Sequence, residues 1–262
     1  MKSEKKKKEK IVQKGKMKDY DFYHFSIKEI ILFFIEGIGK IALYAYIFYR
    51  SILAFILLIP YLILYFKEKR RKCIRKQKEN LSVQFKELMG AVNAGLAAGY
   101  SVENAFLHAR DDLAMVFGKK ADITKEMNVI AAGLKNNKNL EDLLSDFGAR
   151  SHVEDIRDFA EVFNVAKRSG GSLPKVLSNC ADVIGGKMDV KRRISTLISA
   201  KQFEQSIMNL VPFGIILYIG FTSPGFFDVL YGNMTGIAIM TILFAIYIVA
   251  LKLADKIIRI RI

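Results

Sequence analysis

The chain has 262 residues, a formal net charge of +15, a positive mean hydropathy, two Cys and no Trp. The charge is concentrated: residues 1–18 hold nine Lys against two Glu, and residues 67–78 hold eight Lys or Arg against one Glu. Two basic runs beside apolar stretches exclude a nucleic-acid-binding face as the source of the basicity, and two distant Cys read as reduced thiols rather than a disulfide framework.

Residues 1–25 form a basic segment. They lack the apolar core and small-residue site of a cleavable signal peptide. A Lys-rich run beside an apolar segment marks a loop kept on the cytoplasmic side, where it also meets anionic membrane lipids.

Residues 26–66 are mostly apolar but contain Lys28, Glu29, Glu36, Lys40 and Arg50. One reading is an interfacial helix followed by a single span. The other is a hairpin turning near Tyr49-Arg50-Ser51. Both flanks are strongly basic, and only a hairpin keeps both inside, so the sequence favours two spans here and four in all. Glu36 and Lys40 are four residues apart and pair on one helix face. Left unpaired at mid-bilayer, such a charge would cost at least ~2.5–3.5 kcal/mol.

Residues 67–205 read as a cytoplasmic helical domain. Leu81, Phe85, Leu88, Val92 and Leu96 recur at helical spacing, as do Val102, Phe106, Ala109 and Leu113. Ser101 is placed to cap the second of these helices. Ser151-His152-Val153-Glu154 has capping-box spacing ahead of Ile156, Phe159 and Phe163. Ser172 is a candidate cap for a long helix that tolerates Pro174 in its first turn. From there only Gly185-Gly186 interrupts, so this helix is expected to run into the next span. No stretch alternates with period two, and the fold class is all-α.

Residues 206–251 form a membrane hairpin. Its limbs, Ile207–Thr222 and Met234–Leu251, are near the ~20 apolar residues that a span needs. The stretch between them holds Pro224, Gly225, Gly232 and Asn233, which are turn formers. The tail, residues 252–262, has four Lys or Arg against one Asp and belongs on the cytoplasmic side.

The helical domain resembles itself. AGYSVENAFLHARDDL (98–113) aligns with SGGSLPKVLSNCADVI (169–184) at an offset of 71 residues. Upstream, Leu88, Val92 and Asn93 fall opposite Phe159, Phe163 and Asn164. Each copy is a helix, a Gly turn, a Ser cap and a second helix. Gly99 and Gly170 are placed at the left-handed position that ends a helix, and Gly171 adds freedom for the reversal. Two such hairpins bury their apolar faces against each other.

These elements resemble the type II secretion F-domain family. AGYSVENAF, then RSGGSLPKVL about 70 residues later, a basic helix, a Pro-bearing span and a second span are similar to its single-domain members, the platform proteins of tight-adherence (Tad) pili. The resemblance covers about 79–251. It implies a polytopic inner-membrane scaffold whose cytoplasmic domain contacts a secretion or pilus assembly ATPase. The membrane part would then meet pilin or pseudopilin subunits. Gly99, Ser101, Gly170, Gly171 and Ser172 match the family's turn-and-cap positions, and Pro212 its Pro in the third span. Many relatives carry two copies of the unit. One copy implies pairing with itself or with a paralogous platform protein.

No catalytic chemistry is legible. Gly185-Gly186-Lys187-Met188 lacks the first Gly and the hydroxyl of a phosphate-binding loop. His24, His108 and His152 have no partner at metal-ligand spacing, and the last two read as helix-surface residues. Asp111-Asp112 and Glu141-Asp142 are adjacent and point apart on a helix. The sequence therefore predicts no enzyme and no cofactor. Lys167 and Arg168, beside the Gly-Gly turn, are the candidate partner-contact residues, although a basic pair at a helix C-terminus also complements the dipole. The competing reading is a small transporter or channel that uses Glu36, Lys40, Arg50 and Asp228.

Overall fold

The computed structural model describes residues 17–170, 172–223, 225–228, 230–231 and 233–258. Among these residues there are nine α-helices and no strand. They are α1 (Ile27–Tyr49), α2 (Ile52–Leu58), α3 (Tyr61–Ala97), α4 (Val102–Val116), α5 (Asp122–Lys135), α6 (Leu140–Ser151), α7 (Glu154–Ser169), α8 (Leu173–Thr222) and α9 (Met234–Ile258). The all-α expectation holds. The chain divides into two compact units. A helical unit takes residues 17–24 and 71–189, and a membrane-helix unit takes residues 25–70 and those after 189.

The helical unit has one core. Phe85, Phe147, Phe159 and Phe163 are fully buried there. Phe85 meets Phe159 edge-on at 5.3 Å between ring centroids, and Phe106 meets Phe163 at 6.3 Å. Burying each such side chain contributes roughly 1.5–3 kcal/mol. Helices approach closely where the sequence has Gly. A Cβ on Gly148 would lie 3.1 Å from the Arg157 backbone, so α6 and α7 need Gly there. The helix runs on into the next span as expected: α8 is helical through Gly185-Gly186.

Two local expectations differ. Ser151 does not cap α7. It is the last residue of α6, donates to the Gly148 carbonyl at 2.9 Å and accepts from the Val153 N–H at 3.2 Å. His152 takes the left-handed conformation (φ 50°) that ends α6, so α7 begins after Val153. The compact units also group some residues differently from the segments read in the sequence. Residues 17–24 belong to the helical unit rather than to a separate basic segment, while residues 190–205 group with the membrane helices. Past Asp189 most α8 side chains are exposed.

In the membrane-helix unit, α1 ends at Tyr49 and Arg50 turns the chain with φ 44°. The next limb returns along α1. Glu36 accepts from both Lys40 and Lys69 at 2.9 Å, and a Cβ on Gly37 would meet Leu62 at 2.7 Å. The limb is interrupted at Pro60, which lacks an N–H and cannot continue α2. Among the described residues three helices, α1, α8 and α9, are long and apolar enough to cross a membrane. The broken limb is not among them, because Lys67 follows only six residues into α3. Phe48, Phe213, Phe244 and Tyr247 pack as an aromatic cluster.

Candidate functional site in the helical unit

The two glycine turns are built differently. At the first, the Gly99 N–H donates to the Leu96 carbonyl at 3.0 Å and the Tyr100 N–H to the Gly95 carbonyl at 3.1 Å. With φ 87° at Gly99, this is the paired Schellman arrangement. Ser101 then accepts from the Asn104 N–H at 3.4 Å and starts α4. At the second, Gly170 has φ 67° and donates once, to Ala166, the simpler left-handed closure. Gly171 lies outside the described residues. Ser172 precedes α8, and its carbonyl accepts the Val176 N–H at 3.2 Å.

The repeat is a packing repeat. At the offset of 71, Phe85, Leu88, Val92, Phe106 and Leu113 pair with Ile156, Phe159, Phe163, Leu177 and Ile184, and all ten side chains are buried. Two hairpins, α3–α4 and α7–α8, thus present equivalent faces to one core. Helices α5 and α6 lie between them in the chain.

Lys167 is committed inside the unit. Its ammonium lies 3.0 Å from Glu103 of α4 and 3.2 Å from Glu141 of α6, pinning both helices to α7. Burial pulls the Lys167 pKa down, but the two carboxylates outweigh it and raise the value. A backbone hydrogen bond at Glu103 itself, aided by Lys167, holds that carboxyl below its ordinary value. Arg168 is exposed beside the turn. Of the two candidate contact residues, only Arg168 faces outward.

The strap of residues 17–24 was not legible in the sequence. Tyr20 is fully buried and donates to Glu126 Oε1 at 3.0 Å. Arg150 grips the same carboxylate in a fork, at 3.1 and 2.8 Å, and also donates to Asp146 and to the Lys18 carbonyl. The Tyr20 N–H donates to the Arg150 carbonyl at 3.2 Å. Burial, then the Glu126 charge, pushes the Tyr20 hydroxyl pKa well up. His152 lies 3.2 Å from Asp19 and 3.5 Å from Asp21, and Lys78 also binds Asp21. His152 is therefore a clasp for the strap, whereas His108 stacks on Tyr100 at 4.5 Å. One signal could have found the strap: Glu126 falls on the apolar stripe of Ile123, Met127 and Ile130, where an acid needs a partner.

Pro212 lies inside α8. Lacking an N–H, it leaves the Met208 carbonyl without its helical donor, and the Tyr247 hydroxyl donates to the neighbouring Asn209 carbonyl at 3.1 Å. Arg50 stands 4.0 Å from Asp228 and over the Tyr231 ring. Among the described residues, no group of three or more His, Cys, Asp or Glu could hold a metal ion. The arrangement supplies rigid helix pairs and ionic pins.

A family model described as Type II secretion system (T2SS), protein F matches residues 88–221. The match starts within α3 and stops one residue short of the end of α8. It therefore spans both glycine turns, every helix between them and Pro212. Searches of the curated proteins and of the solved structures found no match.

Proposed function

Given that this chain belongs to the type II secretion system protein F family, we propose that it is the membrane platform of a pilus-assembly or secretion machine, of the single-unit tight-adherence kind. The observation that carries this reading is the family match across 88–221, which coincides with the repeated hairpins and the helix that follows them. In this role the helical unit sits in the cytoplasm and takes up work from an assembly ATPase. The membrane helices meet pilin or pseudopilin subunits, and a second platform chain, identical or paralogous, completes the base.

The strap supports the orientation. Residues before α1 and residues after the first hairpin are hydrogen-bonded into one compact unit, and a compact unit cannot straddle a bilayer. If α1 crosses, the chain must cross back before Arg71. This favours two crossings within residues 25–70 and four in all, with α2 and the start of α3 as an interrupted return limb. Both basic runs then lie on the inner side, as retention requires.

The test is a deletion strain together with an affinity-tagged chain. The proposal expects loss of filament or secreted substrate on deletion, and recovery of a secretion-type ATPase with the tagged chain. Normal assembly in the deletion strain would sink it.

A further inference from the structure

Met115 and Val116 end α4. They are the most exposed large apolar side chains described in the helical unit, at 84% and 72%. Their exposure is built in. Phe117, next in the chain, packs against the core, and its N–H donates to Leu113 at 2.9 Å. Gly118 turns with φ 83°. Its carbonyl accepts from the Ala121 N–H at 3.2 Å and from the Thr124 hydroxyl at 3.1 Å. Lys119 and Lys120 are the exposed middle of that closed turn. The tip thus holds two apolar side chains and two ammonium groups on a fixed backbone.

The surrounding charges leave the tip cationic. Asp122 is matched by Lys18 at 2.9 Å and Lys125 at 3.6 Å. Asp111 is matched by Arg110 at 2.8 Å. Asp112 lies one helical turn before Val116 in α4. Apolar side chains flanked by lysines suit the boundary between anionic headgroups and acyl chains. This chain brings a bilayer with it, because three of its helices are long and apolar enough to cross one.

We propose that the α4–α5 tip, Met115–Lys120, is a lipid-contacting element. It seats Met115 and Val116 in the interfacial layer of an anionic bilayer while Lys119 and Lys120 hold lipid headgroups. The inference rests on membrane anchorage and not on any role in assembly.

The chain has no Trp, so one introduced Trp is the only indole emitter. Full-length V116W is placed in nanodiscs of phosphatidylcholine, with or without phosphatidylglycerol, whose acyl chains are brominated near the headgroup. In the anionic discs the emission should shift to the blue and lose intensity. Both effects should diminish in K119Q/K120Q, in high salt and in the neutral discs. M115W should behave like V116W, while V165W, exposed elsewhere on the unit, should stay unquenched. Circular dichroism checks that each variant remains helical. Unquenched emission from V116W and M115W overturns the proposal, and a blue shift without bromine quenching overturns it in favour of a protein occupant. Quenching that ignores headgroup charge and both lysines overturns it as well.

Discussion

At the scale of single residues, the two kinds of Gly make opposite predictions. Gly99 sits in the left-handed region, which disfavours a side chain by roughly 1–2 kcal/mol. Gly186 is helical, with nothing near its Cβ direction. Gly99→Ala should therefore lower the unfolding free energy of the helical unit by about 1–2 kcal/mol, and Gly186→Ala should raise it by about 0.5–1 kcal/mol. Denaturant titration followed by circular dichroism reads both. Glu126 is the most exposed to error of the buried groups. Arg150→Met leaves its carboxylate buried with one partner fewer and should cost about 3–5 kcal/mol. Adding Glu126→Leu to that variant should restore much of the loss. If the double variant is no more stable than the single one, the ionic reading of this core fails.

At the scale of elements, the strap and the pins set the response to pH. Its hydrogen bond to Lys78 holds the Asp21 carboxyl below its ordinary value, and Glu103 is likewise depressed. Both therefore add stability above the ordinary carboxylate value of about 4, and it is lost as pH falls through their lower folded values. Lys187, hydrogen-bonded to Asp155, is raised. Its contribution is present below about 10.4 and disappears as pH rises through the folded value. Melting temperature against pH should show a plateau that falls at both ends, and Asp21→Asn should soften the acidic limb. Helix α8 makes a mechanical prediction. It is unbroken from Leu173 to Thr222, so two glycines inserted near Lys201 should disrupt assembly in cells. Full assembly in that variant would exclude α8 as a force-bearing link.

What was legible at this scale follows from locality. The first turn, the Ser101 cap and the repeat depend on neighbours within a few residues, or on a pattern stated twice, and sequence carries both. Tyr20–Glu126 joins residues more than a hundred positions apart, so no local period announces it. The ion pairs of Lys167 were hidden for a related reason. Beside a turn it looks free, yet Glu103 and Glu141 arrive from two other helices.

At the scale of the whole molecule, two compact units in different surroundings should lose structure separately. In detergent micelles, urea should melt the helical unit while α1, α9 and the part of α8 after Asp189 stay helical, leaving a plateau of residual ellipticity. A single transition to full loss would contradict the division into units. The strap also gives biosynthesis an order of events. Tyr20 leaves the ribosome 130 residues before Arg150 does. At roughly 5–20 residues per second, that interval lasts on the order of 10 s. During it the strap has no seat, and in the proposed topology the first hairpin is already entering the membrane. A chain in which α1 crossed without the return limb would leave Tyr20 and Glu126 on opposite sides of the bilayer, with Glu126 buried beside an unfilled slot. In the proposed four-span topology, docking of the strap would therefore require that the return limb had crossed after α1.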